Sequence, residues 1–321
     1  MVRRISSSSP ETVATAADVL RAGGLVAIPT ETVYGLGADA TNGTGVAGIF
    51  AAKGRPKFNP LIAHVSDRAM AEATAVFDPL ARKLAEAFWP GPLTIVLPLH
   101  ETAGIHPLVG GGLSTIALRM PEGIARDIIA ALGGPVAAPS ANRSGRVSPT
   151  TADHVEASLG DRIDLIVDGG PAAVGLESTI VKPMGDRIAL LRAGGISAEE
   201  IERLTGLPVF RPGPDAGIEA PGQLASHYAP HGSVRLAVNT VQPGEWLITF
   251  GPLPVAGQEQ AAGVLNLSPS GDLREAAANL FAALSRLDRP DIPAIAVAAI
   301  PMTGLGEAIN DRLARAAAPR D

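Results

Sequence analysis

The eight residues 53–60 (KGRPKFNP) constrain the fold most, because they place two prolines and three positive charges in one short segment. Each proline fixes its own φ and biases the preceding residue towards extended backbone, so a preceding helix should stop here and a stiff loop should begin. Two of the four lysines of the chain stand in this octet, on either side of Arg55. Arginine supplies a planar fork of donors and lysine a compact charge, so the octet predicts a phosphate-binding loop. A solvated basic loop is the simpler alternative for an isolated run of three charges.

Buried strands are predicted on both sides of this loop. Residues 24–29 and 61–65 are short apolar runs bounded by turn residues, and residues 30–37 between them form a polar turn rich in glycine. Ser9 is expected to cap a helix that ends near Gly23. Further strands are expected at 93–97, 114–119, 136–138, 164–167, 178–181 and 188–192, and further helices at 67–75, 78–88, 122–132 and after Ser197. This alternation predicts an α/β fold.

The last third of the chain predicts a second, smaller domain. Residues 211–232 are crowded with Pro, Gly and small polar residues and lack periodicity, so they are interpreted as an inter-domain linker. Strands are expected at 234–238, 246–250, 264–267 and 295–299, and helices at 273–287 and after Gly306. That pattern predicts a small three-layer α/β domain.

Composition excludes several classes of function. The chain of 321 residues contains no cysteine, so thiol nucleophiles, disulfides and cysteine-bound metals are excluded. The net charge of -6 argues against broad, non-specific binding to nucleic acid. The start of the chain lacks a signal-peptide apolar region, and no segment reaches the roughly 18 apolar residues of a membrane span. A cytoplasmic protein is therefore expected.

Two weaker patterns suggest other functions. Residues 35–40 (GLGADA) match a dinucleotide-binding fingerprint, which would indicate a nicotinamide oxidoreductase. However, five residues separate them from the preceding strand, and the basic loop stands where the fingerprint requires an acidic residue about 20 positions further on. His227 and His231 have the spacing of a helical metal pair, but Pro230 breaks the helix that such a pair needs. The sequence contains no P-loop motif, so any bound nucleotide must be held by a different binding motif.

Several motifs of the chain resemble those of the threonylcarbamoyl-adenylate synthase (YrdC-like) family. They are PTETVYGLG at 29–37, KGRPKFNPL at 53–61, PSANRSGRVSPT at 139–150, ESTIV at 177–181, LRAG at 191–194, HYAP at 227–230 and GLGEAINDRL at 304–313. The resemblance implies a YrdC-like twisted open sheet with flanking helices and a smaller Rossmann-like three-layer α/β C-terminal domain. The expected division is a catalytic domain at 1–210, a linker and active-site lid at 211–232, and the C-terminal domain at 233–321.

The resemblance also implies a reaction. L-Threonine, bicarbonate or CO2 and ATP should give threonylcarbamoyl-AMP and pyrophosphate, with Mg²⁺ on the phosphates. The product should pass to a separate transferase that makes threonylcarbamoyladenosine in tRNA, with at most a transient contact between this chain and tRNA. The alternative is a non-catalytic YrdC-like module that binds RNA.

The site residues that the resemblance implies fall into three overlapping sets. Lys53 and Arg55 are expected to be catalytic. The residues expected to bind L-threonine are Thr32, His64, Arg119, Ser140 and Ser178. The residues expected to bind ATP are Lys53, Arg55, Asn59, Thr115, Asn142, Ser148, Arg192 and Tyr228. Arg119 should pair with the threonine carboxylate, and Tyr228 should approach the phosphates when the linker closes. Just before the HYAP motif the family usually carries basic and aromatic residues, whereas this chain has Gln-Leu-Ala-Ser at 223–226.

Overall fold

The computed structural model describes residues 2–56, 59–213, 217, 219–222 and 227–319. The departure from the family pattern at 223–226, and Lys57 of the basic octet, therefore lie outside the described residues. No helix in these ranges has the length and apolar content needed to cross a membrane.

Two sheets organise the chain. The strands of the large sheet are β1 (Arg3–Ser6), β2 (Val26–Ile28), β3 (Gly35–Asp39), β4 (Ile62–His64), β5 (Leu93–Pro98), β6 (Thr115–Arg119), β7 (Val136–Ala137), β8 (Leu165–Asp168), β9 (Thr179–Pro183), β10 (Ile188–Arg192) and β11 (Val209–Phe210). The helices around it are α1 (Thr12–Arg21), α2 (Gly43–Lys53), α3 (Arg68–Thr74), α4 (Pro79–Phe88), α5 (Pro107–Gly110), α6 (Ile124–Leu132), α7 (Ala152–Leu159) and α8 (Ala198–Thr205), with a 3-10 turn at Gly160–Arg162. We call this part the N-terminal domain.

The large sheet is mixed and is covered by helices on both faces. Its order is β1-β8-β2-β3-β7-β4-β6-β5-β9-β10-β11. On one face, Leu20 of α1 and Ile128 of α6 pack against Val26 and Leu165, and on the other face α2, α4 and α8 contribute to a larger apolar core. In the centre, β4 and β6 run parallel, with His64 beside Arg119 at their carboxyl ends. The predicted α/β fold with an open sheet and flanking helices is therefore confirmed.

The basic loop begins where the prolines predict. Helix α2 ends at Lys53, and Gly54 follows in the left-handed conformation with φ of 61°, which glycine adopts without steric cost. At the other end of α2, the side chain of Asn42 accepts hydrogen bonds from the amides of Thr44 and Gly45. The helix therefore delivers Lys53 and Arg55 at a fixed position beside the carboxyl end of β4.

Two local predictions are wrong. The segment 30–37 was expected to be a turn throughout, but Gly35 and Gly37 belong to β3, which pairs antiparallel with β2. A Cβ atom on Gly37 would lie 2.9 Å from Ile28 Cδ1, so glycine serves here for close packing within a sheet. Ser9 does not cap α1, because the helix starts at Thr12 after a turn in which the Thr12 amide donates to the Ser9 carbonyl.

The C-terminal domain is built on a small parallel sheet. Its strands are β12 (Ser233–Arg235), β13 (Trp246–Thr249), β14 (Gly263–Asn266) and β15 (Ala294–Val297), in the order β12-β15-β13-β14. Its helices are α9 (Leu273–Leu287) and α10 (Leu305–Ala317), with a 3-10 turn at Gln258–Gln260. Both helices share a core with Ile248 and Ile295, whereas Leu247 on the opposite face packs against Val238 and Val241. The predicted third, helical layer is therefore not confirmed for the described residues, because the crossovers on that face contain the 3-10 turn but no α-helix.

The two domains share an apolar interface. Val33, Val147 and Leu176 of the N-terminal domain belong to the same buried cluster as Phe281 of α9. The approach is close enough that a Cβ atom on Gly175 would lie 2.4 Å from the Ala278 Cα atom. Since the loops that carry Val33 and Leu176 also carry predicted site residues, the interface borders the candidate site.

Candidate active site

One cavity collects most of the predicted site residues. It opens at the carboxyl ends of β4, β6 and β10, where open α/β sheets commonly bind ligands. The predicted residues that line it are Thr32, Arg55, His64, Arg119, Ser140, Ser178, Arg192 and Tyr228. Pro221, Gly222 and His227 from the predicted linker line it too. The structure therefore brings together residues that are separated by nearly 200 positions in the sequence.

Arg119 dominates one side of the cavity. Its Nη1 donates to Thr32 Oγ1 at 2.8 Å, and its Nε donates to the Gly91 carbonyl at 3.2 Å. Its Nη2 lies 2.6 Å from Glu31 Oε1, although the angle at this contact does not meet hydrogen-bond geometry. Ser178 lies nearby on the cavity wall, where its hydroxyl shares a hydrogen bond of 2.7 Å with Thr94. This side offers one cation and hydroxyl groups to a small polar ligand.

His64 lies beside Arg119 and is uncharged at neutral pH. Burial, helped by the Arg119 charge, lowers the pKa of His64 to about 3. Its Nδ1 atom is buried and has no hydrogen-bond partner among the described residues. A neutral imidazole on a cavity wall is suited to exchange a hydrogen bond with a ligand.

The low pKa of His64 predicts a pH dependence of stability. In the unfolded chain the imidazole of His64 takes up a proton below about pH 6.5, whereas in the folded chain it does so only near pH 3. The contribution of His64 to the free energy of unfolding should therefore fall as the pH falls from about 6.5 to about 3, and should be constant above pH 6.5. The slope contributed by one such histidine is about 1.4 kcal/mol per pH unit. His64→Gln should reduce the slope between pH 6 and pH 5 by about that amount in urea unfolding. Parallel profiles for the two proteins would contradict this assignment.

Two further arginines, Arg55 and Arg192, form a cationic side of the cavity that adjoins Ser178. Arg55 donates from Nη2 to the Pro60 carbonyl at 2.9 Å, and Arg192 donates from Nη2 to the Ser178 carbonyl at 2.9 Å. Burial lowers the pKa of each arginine to about 10, and the charge of Arg192 adds to the effect on Arg55. Within the described residues, neither Nη1 atom donates a hydrogen bond. Two buried guanidinium groups with donors to spare form a site for an anion.

Lys53 acts on the loop that follows β7 and does not line the cavity. Its Nζ donates to the carbonyls of Ser140 and Asn142 at 2.5 Å each and approaches Asn142 Oδ1 at 3.3 Å. Burial, with a smaller contribution from Arg55, lowers the pKa of Lys53. Three acceptors match the three protons of an ammonium group, so Lys53 holds the Ser140 loop in place. Its direct contact with ATP stays a prediction.

The remaining predicted residues lie outside the cavity wall. Asn142 is buried and its Nδ2 donates to the Arg146 carbonyl at 2.7 Å, while Asn59 is buried with an unpartnered Oδ1 among the described residues. Thr115 begins β6 and is therefore about 13 Å along the strand from Arg119. Ser148 donates to Glu177 Oε1 at 2.6 Å. Their roles in ATP binding stay predictions.

Sequence reasoning missed two ionisable residues of the cavity wall, Glu177 and His227. Glu177 is the first residue of the ESTIV motif, and only that position signalled it. Burial opposes its ionisation, but the charges of Arg312 and Arg192 and the hydrogen bond from Ser148 outweigh burial and lower the pKa of Glu177 to about 2. His227 begins the HYAP motif, but the sequence assigns it no role in binding a substrate.

The geometry of the two histidines does not bring them together. The His227 ring packs on the Tyr228 ring with centroids 4.0 Å apart, whereas His231 contacts Asp288 and Arg146. The rival dinucleotide fingerprint also lacks its structural context, because Gly35 and Gly37 lie inside a strand and do not form the turn between a strand and a helix.

Comparison with known proteins identifies two family matches. Residues 18–194 match the Sua5, YciO and YrdC family, described as "Telomere recombination", and residues 196–318 match "Threonylcarbamoyl-AMP synthase, C-terminal domain". Threonylcarbamoyl-AMP synthase of Bacillus subtilis is 40% identical over 98% of this chain and 95% of that protein. The same-named protein of Schizosaccharomyces pombe is 36% identical over 91% of this chain and 84% of that protein.

A solved structure agrees over almost the whole chain. The crystal structure of Pyrococcus abyssi Sua5 complexed with L-threonine superposes with a TM-score of 0.87 at 37% identity, covering 99% of this chain and 97% of that one. Escherichia coli YciO shares the fold of the N-terminal domain, with a TM-score of 0.54 at 22% identity over 60% of this chain. The chain therefore belongs to the threonylcarbamoyl-AMP synthase family, in its two-domain form.

Proposed function

We propose that this protein is an L-threonylcarbamoyladenylate synthase, which makes threonylcarbamoyl-AMP and pyrophosphate from L-threonine, bicarbonate or CO2 and ATP. The observation that carries the proposal is the division of one cavity into a side suited to a small amino acid and a side suited to phosphates. Relatives that carry the name of this enzyme cover nearly the full chain, and the similar Sua5 structure is a complex with L-threonine. The same similarity disfavours the RNA-binding module.

The proposed reaction needs positioning and charge neutralisation more than a nucleophilic side chain. The amine of threonine takes up bicarbonate with loss of water to give an N-carboxylate. An oxygen of that carboxylate attacks the α-phosphorus of ATP, a P–O bond forms, and pyrophosphate leaves. Aligning two bound reactants and stabilising the growing negative charge can lower such a barrier by several kcal/mol.

Each side of the cavity has an assigned role in this proposal. Arg119 and Thr32 bind the carboxylate side of threonine, while His64 and Ser178 contact its remaining polar groups. Arg55 and Arg192 bind phosphate oxygens through donors that the described residues leave free. Lys53 acts through the Ser140 loop that it holds.

We propose that Mg²⁺ enters with ATP. The described residues contain no group of three or more His, Asp or Glu side chains that could hold a metal ion. Glu177, the carboxylate on the nucleotide side, is already paired with Arg312 at 2.9 Å. Mg²⁺ commonly keeps several waters and uses substrate phosphates as ligands, so the chain need not supply a dedicated cage.

The product is a labile mixed anhydride, and we propose that a separate tRNA threonylcarbamoyl transferase consumes it. Contact between this chain and tRNA would then be transient, in keeping with the net charge of -6. The cytoplasm is the proposed compartment, since ATP, bicarbonate and tRNA meet there.

An omission experiment tests the proposed function. Pyrophosphate release should require ATP, L-threonine and bicarbonate together, and mass spectrometry should detect threonylcarbamoyl-AMP. L-Serine should be a poorer substrate, because burial of the threonine methyl group contributes about 1 kcal/mol, or roughly fivefold in kcat/KM. Equal rates without threonine would refute the proposal, and ATP-independent binding of RNA would favour the alternative module.

A further inference from the structure

Arg312 of helix α10 links the C-terminal domain to the candidate site. Its side chain has no exposed surface, which is unusual for an arginine. Its Nε donates to Glu177 Oε2 at 2.9 Å, and its Nη2 donates to the Ala193 carbonyl at 2.8 Å. Glu177 lines the cavity and Ala193 follows Arg192, so one guanidinium contacts both loops that border the cationic side.

The same guanidinium supports the end of the linker. Its Cζ atom lies 5.4 Å from the centroid of the buried Tyr228 ring, within the range of a cation–π contact. Phe281 of α9 packs against that ring with centroids 5.3 Å apart. Tyr228 also has a φ of 62°, a conformation that a non-glycine residue keeps only when its surroundings hold it. The C-terminal domain therefore supplies two of the contacts that hold Tyr228 against the cavity.

The charge of Arg312 matters because Glu177 lines the same cavity as Arg55 and Arg192, which are proposed to bind the phosphates. An ionised carboxylate on a wall shared with Arg55 and Arg192 weakens the attraction of these arginines for phosphate unless a further cation neutralises it. Arg312 is that cation, since it pairs with Glu177 while Ser148 donates to the other carboxylate oxygen at 2.6 Å. Arg312 itself is absent from the cavity wall.

We propose that Arg312 is a positioning residue for the nucleotide: it neutralises Glu177 and supports Tyr228, so that the C-terminal domain completes the ATP side of the catalytic cavity. The role is indirect, because Arg312 touches neither the cavity nor a reacting atom. The inference rests on the proposed function and extends it to the C-terminal domain.

A double-mutant cycle tests the charge part of this role. Arg312→Met should raise the KM for ATP about tenfold or more, because it leaves a buried carboxylate unpaired beside the phosphates, while the Kd for threonine should change less than about threefold. Adding Glu177→Gln should restore most of the lost affinity for ATP, since no charge then needs neutralisation. Glu177→Gln alone completes the cycle, and Arg312→Lys should lie between the parent and Arg312→Met.

A matched control separates this role from general packing between the domains. Arg274 of α9 also faces a glutamate of the N-terminal domain, Glu200, at 3.9 Å, but its side chain is 82% exposed. Arg274→Met should leave the KM for ATP and the melting temperature within error, as expected for an exposed ion pair. If Arg312→Met folds poorly, the KM for ATP is compared between Arg312→Lys and the double variant Arg312→Met, Glu177→Gln.

The outcomes distinguish the two proposals. If the parent enzyme shows no threonine-dependent pyrophosphate release, the proposed function fails. If the parent turns over and Arg312→Met binds an α,β-methylene ATP analogue like the parent in calorimetry, the positioning role is wrong. An equal loss of ATP affinity in the Glu177→Gln background would contradict the charge part of the role, because the effect of Arg312 would then not pass through Glu177.

Discussion

Arg55→Ala should weaken ATP binding by about 1.5–3 kcal/mol, or roughly 10- to 150-fold, and leave threonine binding close to that of the parent. Arg55 is buried on the cationic side of the cavity, and its Nη1 donates no hydrogen bond within the described residues. Removing it takes away both a charge and a nitrogen, Nη1, for which the described residues provide no acceptor. Calorimetric titration with a non-hydrolysable ATP analogue and with L-threonine measures the two affinities separately.

The matched variant for this prediction is Arg119→Ala, which should show the reverse pattern. Arg119 contacts Thr32 and Glu31 on the threonine side, so its loss should weaken threonine and spare the nucleotide. Arg82→Ala, on the surface of α4 and paired with Glu72, controls for the loss of a positive charge as such. Equal weakening of both ligands by both variants would show that the cavity is not divided in the proposed way.

The resemblance to the family motifs, and not a local pattern, predicted the site residues of the N-terminal domain, and the sheet explains why two of them meet. Parallel strands bring their carboxyl ends to one edge, so His64 at the end of β4 and Arg119 at the end of β6 lie side by side. The loop at 53–60 was predictable from its own residues, since proline and glycine have local, well-defined conformational effects.

Long-range contacts were not predictable in this way. The pairing of Arg312 with Glu177 joins residues 135 positions apart, and no local pattern in either segment announces it. Arg312 lies in an amphipathic helix, where an arginine is normally assigned to the solvent face. Gly37 shows the same limitation on a smaller scale, because only its contact with Ile28 distinguishes a strand glycine from a turn glycine.

Access to the cavity should require movement of its linker wall. The cavity measures about 50 Å³, enough for a few waters and well below the roughly 300–1,000 Å³ of pockets that hold drug-sized ligands. Gly222, His227 and Tyr228 form the linker wall of the cavity. Ala229, which follows Tyr228, donates from its amide to the Gly145 carbonyl at 3.0 Å. The structure therefore shows the linker wall in a closed position, and ATP and threonine together need an open one.

We therefore expect the linker to act as a lid that opens for substrates and closes over them, with Tyr228 near the phosphates to keep water from the mixed anhydride. Tyr228→Ala should lower threonylcarbamoyl-AMP formation on the order of 10- to 100-fold and raise ATP hydrolysis, because closure would no longer position the reactants or exclude water. Tyr228→Phe keeps the ring against Phe281 and Arg312 and should retain most of the activity.

Limited proteolysis separates a lid from a passive tether. A glutamate-specific protease has a site at Glu219 in the linker and a reference site at the exposed Glu259 in the C-terminal domain. Cleavage at Glu219 should slow at least several-fold when threonine and an ATP analogue are both bound, while cleavage at Glu259 stays constant. In Tyr228→Ala the protection at Glu219 should disappear. Ligand-independent cleavage at Glu219, together with normal turnover and no excess ATP hydrolysis in Tyr228→Ala, would show that the segment only tethers the two domains.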